Sequence, residues 1–266
     1  MKPTFKKSTY NSSRRSALKG AVVGVSSLAA VGGVVGAGVL LTQHQTEGAH
    51  AASNDQGDAR KNQAIRNILN IAATAETLAV VFYTEAWLHA DRLGLRATSR
   101  LDIRAALIEE QMHLKFLQRQ GAKALTNKFS FPFGIQTFEN IELFLRVQQQ
   151  LEAAFVAAYL AAVKEFAQWG RADLAQMAGQ IAAIEAEHRV IGRVIGAQFP
   201  ANNEAFAPLL LKAVADAPTF LKNAGYLTPM NGNSFLFNPA ATNWDAVTMT
   251  NPTVMPATPV MAHLKF

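Results

Sequence analysis

Four glutamates and two histidines carry the chemistry open to this chain: Glu76, the pair Glu110 and His113, Glu152, and the pair Glu185 and His188. The paired residues stand in Glu110-Gln111-Met112-His113 and Glu185-Ala186-Glu187-His188. Residues three apart share a helix face, so each pair presents a carboxylate and an imidazole together. The order Glu, ExxH, Glu, ExxH is a repeat: Glu76 to Glu110 spans 34 residues and Glu152 to Glu185 spans 33. Each single glutamate is followed seven residues later by a tyrosine, Tyr83 and Tyr159, two turns along the same face. Neighbours at helical spacing are apolar, among them Ala79 and Val80, Leu107 and Leu114, Phe155 and Val156, and Ile181 and Ala182. Inward orientation of all four carboxylates would be prohibitive without counter-charge. Two divalent cations would cancel the charge, and a carboxylate and imidazole donor set suits iron or manganese.

The elements that must position these groups read as long helices. Residues 59–90 lack proline and carry apolar residues at helical spacing, and Leu93-Gly94-Leu95 interrupts the run. A second helix is expected from Thr98 or Ser99, either a suitable N-cap, to Gly121. Residues 122–136, with Pro132 and Gly134, read as a loop. A third helix is expected over 137–169 and a fourth over 172–198, stopped by Gly170 and Pro200 respectively. No segment before residue 200 shows strand alternation. The fold class is therefore all-α, a four-helix bundle whose short first and last connections join antiparallel neighbours. The middle loop, at about 3.3 Å per residue, is long enough for one crossover along the bundle between helices two and three. Residues 201–266 form a C-terminal extension, with a short helix expected over 203–216 and an irregular remainder.

Charge and composition exclude several functions. Of the 266 residues, the first 51 hold six basic side chains against Glu47 alone, which leaves 19 basic and 18 acidic residues in the rest. A nearly neutral body gives no electrostatic basis for binding nucleic acid. The absence of cysteine excludes thiolate metal sites and a cysteine nucleophile. Residues 1–51 follow the layout of an export signal: a basic start, an uncharged Gly, Ala and Val run over 20–41, and Ala49-His50-Ala51. Ser13-Arg14-Arg15-Ser16-Ala17-Leu18-Lys19 resembles a twin-arginine signal, with Ala17 where phenylalanine is usual. That resemblance implies the twin-arginine export machinery as a partner and a periplasmic or extracellular destination. Removal after Ala51 and retention as a membrane anchor are the two outcomes. The bundle is then expected over 52–200.

The helical pattern, together with Ala75-Glu76-Thr77-Leu78-Ala79-Val80-Val81-Phe82-Tyr83, resembles the ferritin-like superfamily, in particular its bacterial ferritin-like domain branch, over residues 60–198. The resemblance implies that Glu110 and Glu185 bridge two metals and that Glu76 and Glu152 are terminal ligands beside His113 and His188. Glu109 and Glu187, adjacent to the motifs, read as surface groups or supports behind the ligands, and His89 as a helix-end residue. Tyr83 and Tyr159 read either as core aromatics or as groups acting beside the metals. Three functions stay open: an oxidoreductase acting on Fe(II), peroxide or dioxygen, a metal-storage subunit, and a stress-associated structural protein whose metals do not turn over. A homo-oligomer is compatible with each.

Overall fold

A computed structural model describes the backbone of residues 39–239 and the side chains of residues 56–239. Most of the expected export signal, residues 1–51, lies outside the described residues, as does the tail beyond Pro239. Four long helices dominate: α1 (Val39–Leu88), α2 (Ala97–Arg119), α3 (Ile141–Gln168) and α4 (Ala172–Ile195). A seven-residue helix, α5 (Ala217–Asn223), lies in the C-terminal extension. The architecture is the expected all-α bundle with one long connection between α2 and α3.

Each helix forms where an apolar stripe meets a defined stop. In α3 the stripe Phe144, Val147, Leu151, Phe155, Tyr159, Ala162 and Phe166 is buried. The alanines between them, Ala153, Ala154, Ala157 and Ala161, keep that face thin enough for close helix approach. The N-terminus of α3 is capped by Asn140, whose Oδ1 accepts from the backbone N–H of Glu142 (3.0 Å) and Leu143 (3.1 Å). Gly170 ends it in a left-handed conformation (φ 70°), which lets the Arg171 N–H reach back to the Phe166 carbonyl at 2.8 Å. Residues 56–88 of α1 are apolar enough to cross a membrane, yet 72% of the apolar window is buried inside the bundle, as a core helix requires.

Several boundaries differ from the sequence reading. Helix α2 starts at Ala97, with Arg96 as an N-cap that makes no side-chain hydrogen bond, so neither Thr98 nor Ser99 caps it. A 3-10 turn over Gly134–Phe138 precedes α3, and α3 therefore begins after Asn140 rather than at Thr137. The chain leaves α4 three residues early, with Ala197 at φ 54°. No α-helix forms over 203–216, where only a 3-10 turn at Val214–Asp216 appears, directly before α5. Pro208 would remove a hydrogen bond and clash in its interior, whereas Pro218 lies in the first turn of α5, where its fixed φ is tolerated.

The crossover and the extension hold each other against the bundle. Asn70 and Thr74 of α1 accept from the backbone N–H of Lys123 (2.8 Å) and Leu125 (2.9 Å). Two-residue strands β1 (Lys128–Phe129) and β2 (Phe235–Leu236) pair antiparallel, too short to leave an alternating pattern in the sequence. Phe131 lies 4.9 Å, ring centroid to centroid, from both Phe138 and Phe235, and 5.8 Å from Phe82 of α1. Through residue 239 the extension is therefore an ordered cover rather than a free arm.

Candidate metal centre

Each long helix contributes its share of one buried cluster: Glu76 from α1, Glu110 and His113 from α2, Glu152 from α3, Glu185 and His188 from α4. Glu110, Glu152 and Glu185 are wholly buried, Glu76 is 2% exposed, and the two imidazoles are also buried. The donors fall into two overlapping sets, Glu76–Glu110–His113–Glu185 and Glu110–Glu152–Glu185–His188. Within each set the ligand atoms all lie within 4.8 Å of one another. All six residues picked out by spacing thus converge, and Glu110 and Glu185 belong to both sets.

The oxygens divide between the halves. His113 Nδ1 lies 3.5 Å from Glu76 Oε2, 3.4 Å from Glu110 Oε2 and 3.4 Å from Glu185 Oε1. His188 Nδ1 lies 3.1 Å from Glu110 Oε1, 3.3 Å from Glu185 Oε2 and 3.7 Å from Glu152 Oε2. Each shared glutamate therefore gives one oxygen to each half. Glu76 Oε2, both oxygens of Glu110, Glu152 Oε2, Glu185 Oε1 and His113 Nδ1 are buried without a hydrogen-bond partner. Such atoms are costly in a protein interior. A cation in each half would satisfy the unpartnered donors there, so the residues present fit a dinuclear carboxylate site.

The tyrosines cross between the halves. Tyr83, two turns beyond Glu76 on α1, donates to Glu152 Oε1, and Tyr159, two turns beyond Glu152 on α3, donates to Glu76 Oε1. Both are thus partners of the cluster and not core aromatics alone. Glu109 supports His188, its Oε2 lying 2.9 Å from Nε2. An ionised carboxylate only accepts, so with a cation in place Nε2 would carry the proton and leave the Nδ1 lone pair for the ion. Glu187 points to solvent, and His89 lies past the end of α1 with Nδ1 2.9 Å from the Glu85 carbonyl.

Sequence reasoning missed the polar support behind α4. Gln148 Nε2 donates to the His188 carbonyl (2.6 Å) and to Tyr83 Oη (3.3 Å). Gln149 Nε2 donates to Gln148 Oε1 (2.7 Å) and to the Arg189 carbonyl (2.8 Å). Beyond them Arg189 and Arg193, both buried, pair with Glu204 of the extension. The available signal was Gln148, one turn before Glu152 on an otherwise apolar face.

Without cations the cluster retains protons. Burial raises Glu110, and the charges of Glu185 and Glu76 add to the shift. Burial carries Glu152 up to about 8 against the pull of His188. Burial also pushes Glu185 upward, but His113 and His188 outweigh it and hold that carboxyl well below its usual range. Burial alone would lower both histidines. The carboxylates around His113, and Tyr83 with the carboxylates around His188, outweigh it and raise them.

Residues 65–196 match the family model described as a ferritin-like domain, a span that contains all six clustered residues. No curated protein and no solved structure matches the chain.

Proposed function

We propose that the ferritin-like domain this chain carries over residues 65–196 holds two divalent metal ions, iron or manganese, and uses them in oxidation–reduction chemistry on Fe(II), peroxide or dioxygen. Glu76 and His113 hold one ion, Glu152 and His188 hold the other, and Glu110 and Glu185 bridge them. The observation that carries the reading is the sharing of Glu110 and Glu185 between two four-donor sets, each shared carboxylate giving one oxygen to each side.

Bound iron or manganese would supply electrons one at a time and open coordination positions. The chain's residues fix the conditions for that chemistry. Tyr83 and Tyr159 fix the outer oxygens of Glu152 and Glu76, which leaves the inner oxygens for the ions. Glu109 orients His188 and sets its tautomer. Burial of the four carboxylates and His188, with the His113 side chain only 11% exposed, restricts bulk water and strengthens the charge interactions among them.

Metal content separates this arrangement from a looser acidic cluster. Protein purified from its own host is expected to hold two ions per chain, Glu76→Ala or Glu152→Ala one, and Glu110→Ala or Glu185→Ala fewer still. Equal loss from all four would sink the bridging assignment. Paired assays of Fe(II), peroxide and dioxygen consumption then test turnover. Full metal content with none of these activities would favour the structural reading.

Export by the twin-arginine route rests on Arg14 and Arg15. A chain that crosses the membrane folded acquires its metals in the cytoplasm, ahead of the copper and zinc that bind such donors more tightly outside. Changing both arginines to lysine is expected to leave metal-loaded precursor inside the cell. Apo precursor would count against loading before export.

A further inference from the structure

The two tyrosines face different surroundings. Tyr83 meets the polar chain of Gln148 and Gln149, whereas the ring of Tyr159 lines two apolar cavities between α1, α3 and their neighbours. The larger, of about 20 Å³, is walled by Ala72 and Ala75 of α1 and by Ala154, Ala158 and Ala162 of α3. Leu211, Val214 and Leu221 of the extension roof it. The smaller, of about 10 Å³, reaches toward α4 and shares Ala72, Tyr159 and Ala162 with the first. Tyr159 is thus the partition between apolar space and the metal half that contains Glu76, to which its hydroxyl is bonded.

We propose that the larger cavity is a binding site for a small apolar diatomic molecule, dioxygen, and that Tyr159 separates this reservoir from the Glu76–His113 half. This rests on the dinuclear reading for its purpose, though not for its existence. A cavity of this size exceeds the roughly 10–15 Å³ one water occupies on this measure. Water there would find too few partners, because the walls are aliphatic and aromatic and the Tyr159 hydroxyl is already committed to Glu76. Peroxide, with two hydroxyl donors, would surrender its hydration for nothing in return. Dioxygen has almost no hydration to lose. The alanines matter because larger side chains at those positions would fill the space, and the extension matters because it covers part of a groove that would otherwise lie open to solvent.

The test is relaxation of alanine methyl signals by dissolved dioxygen, whose unpaired electrons act only at short range. Methyl-labelled full chain, loaded with redox-silent zinc, is measured under several bar of dioxygen against nitrogen. The methyls of Ala75, Ala154 and Ala162 are expected to relax faster than those of Ala90 and Ala182, which are comparably buried but off the cavity. Ala158→Val, which fills the space, is expected to abolish the excess at those three. Uniform relaxation across all buried alanines, or an excess that survives Ala158→Val, would overturn the proposal. The same measurement on metal-free protein should give the same pattern. Failure of zinc to bind would therefore refute the dinuclear reading alone, and loss of the dioxygen pattern in both forms would refute the cavity alone.

Discussion

Replacing Gly192 by alanine should destabilise the domain although it improves helix propensity. A Cβ at that position would sit 2.0 Å from Gln148 Oε1, 2.7 Å from Gln148 Cδ and 2.7 Å from Gln149 Nε2. Neither amide can yield freely, because Gln148 is held by the His188 carbonyl and Tyr83 while Gln149 is held by the Arg189 carbonyl. Losing two of these hydrogen bonds and leaving a buried donor unsatisfied costs about 3 kcal/mol. Alanine returns about 1 kcal/mol over glycine in a helix interior. The net loss of about 2 kcal/mol corresponds to a melting temperature lower by about 4–8 °C for a domain of this size. Gly179, in the same helix, is the control: an added Cβ there meets only Val163 Cγ2 at 3.8 Å, an ordinary contact. Gly179→Ala should therefore raise the melting temperature by about 2–4 °C. Scanning calorimetry of both variants, with metal content measured alongside, gives the answer. A Gly192→Ala protein as stable as Gly179→Ala would mean that the glutamine amides do not lie against α4.

Glu109→Ala should weaken one metal of the two by about 10–100-fold, because it removes the group that orients His188, whereas Glu187→Ala should leave binding unchanged; competitive chelator titration reads both. Tyr83→Phe should destabilise metal-free protein more than Tyr159→Phe, each by about 1–3 kcal/mol in denaturant titration, since only Tyr83 also accepts from Gln148. Metal-free protein should lose thermal stability as pH rises from about 5 to 9, while metal-loaded protein holds level. Glu110, Glu152, His113 and His188 are all raised in the folded state, so their contribution is complete below their unfolded values and fades as pH climbs through the folded ones. The rise of Glu152 from 4.5 to about 8 is alone on the order of 5 kcal/mol. Glu185, lowered, acts oppositely, but its contribution is lost only as the solution turns strongly acid.

The cluster was legible because its signal is local and repeated. A carboxylate and an imidazole three residues apart declare a shared face, and two such pairs, each preceded by an inward glutamate, declare that four faces meet. What the sequence concealed depends on contacts across helices. Glu109 lies one residue from a ligand, yet its bond to His188 comes from the packing of α2 on α4. Gln148 became visible as part of the site only once Gly192 brought α3 against α4. Boundaries failed where tertiary contacts compete with local preference. Thr98 and Ser99 are adequate caps that the chain does not use, and the short helix expected over 203–216 contains Pro208, beside which Leu209 and Leu210 are exposed. The extension gave no periodic signal because its order comes from pairing with the crossover, as at Phe129 and Phe235.

The repeat is faithful at the ligands and broken one step outside them. The counterpart of Glu109 in the second half is Ile184, which has no carboxylate to offer His113. The His113 side chain is accordingly 11% exposed, while that of His188 is 1% exposed and further enclosed by the edge of Tyr83. Behind Tyr83 lies a chain of amides leading toward Arg193 and Glu204, and behind Tyr159 lies apolar space. Two metals held by these chemically equivalent residues would thus be made inequivalent by their surroundings. The Glu152–His188 half is held from outside by hydrogen bonds with Tyr83, Glu109 and Gln148. The Glu76–His113 half has no counterpart of Glu109 or Gln148, some access to solvent, and the cavity beside it. Loss of Glu109 should therefore reach one metal and not the other, because only His188 has a neighbour outside the repeat to set its tautomer.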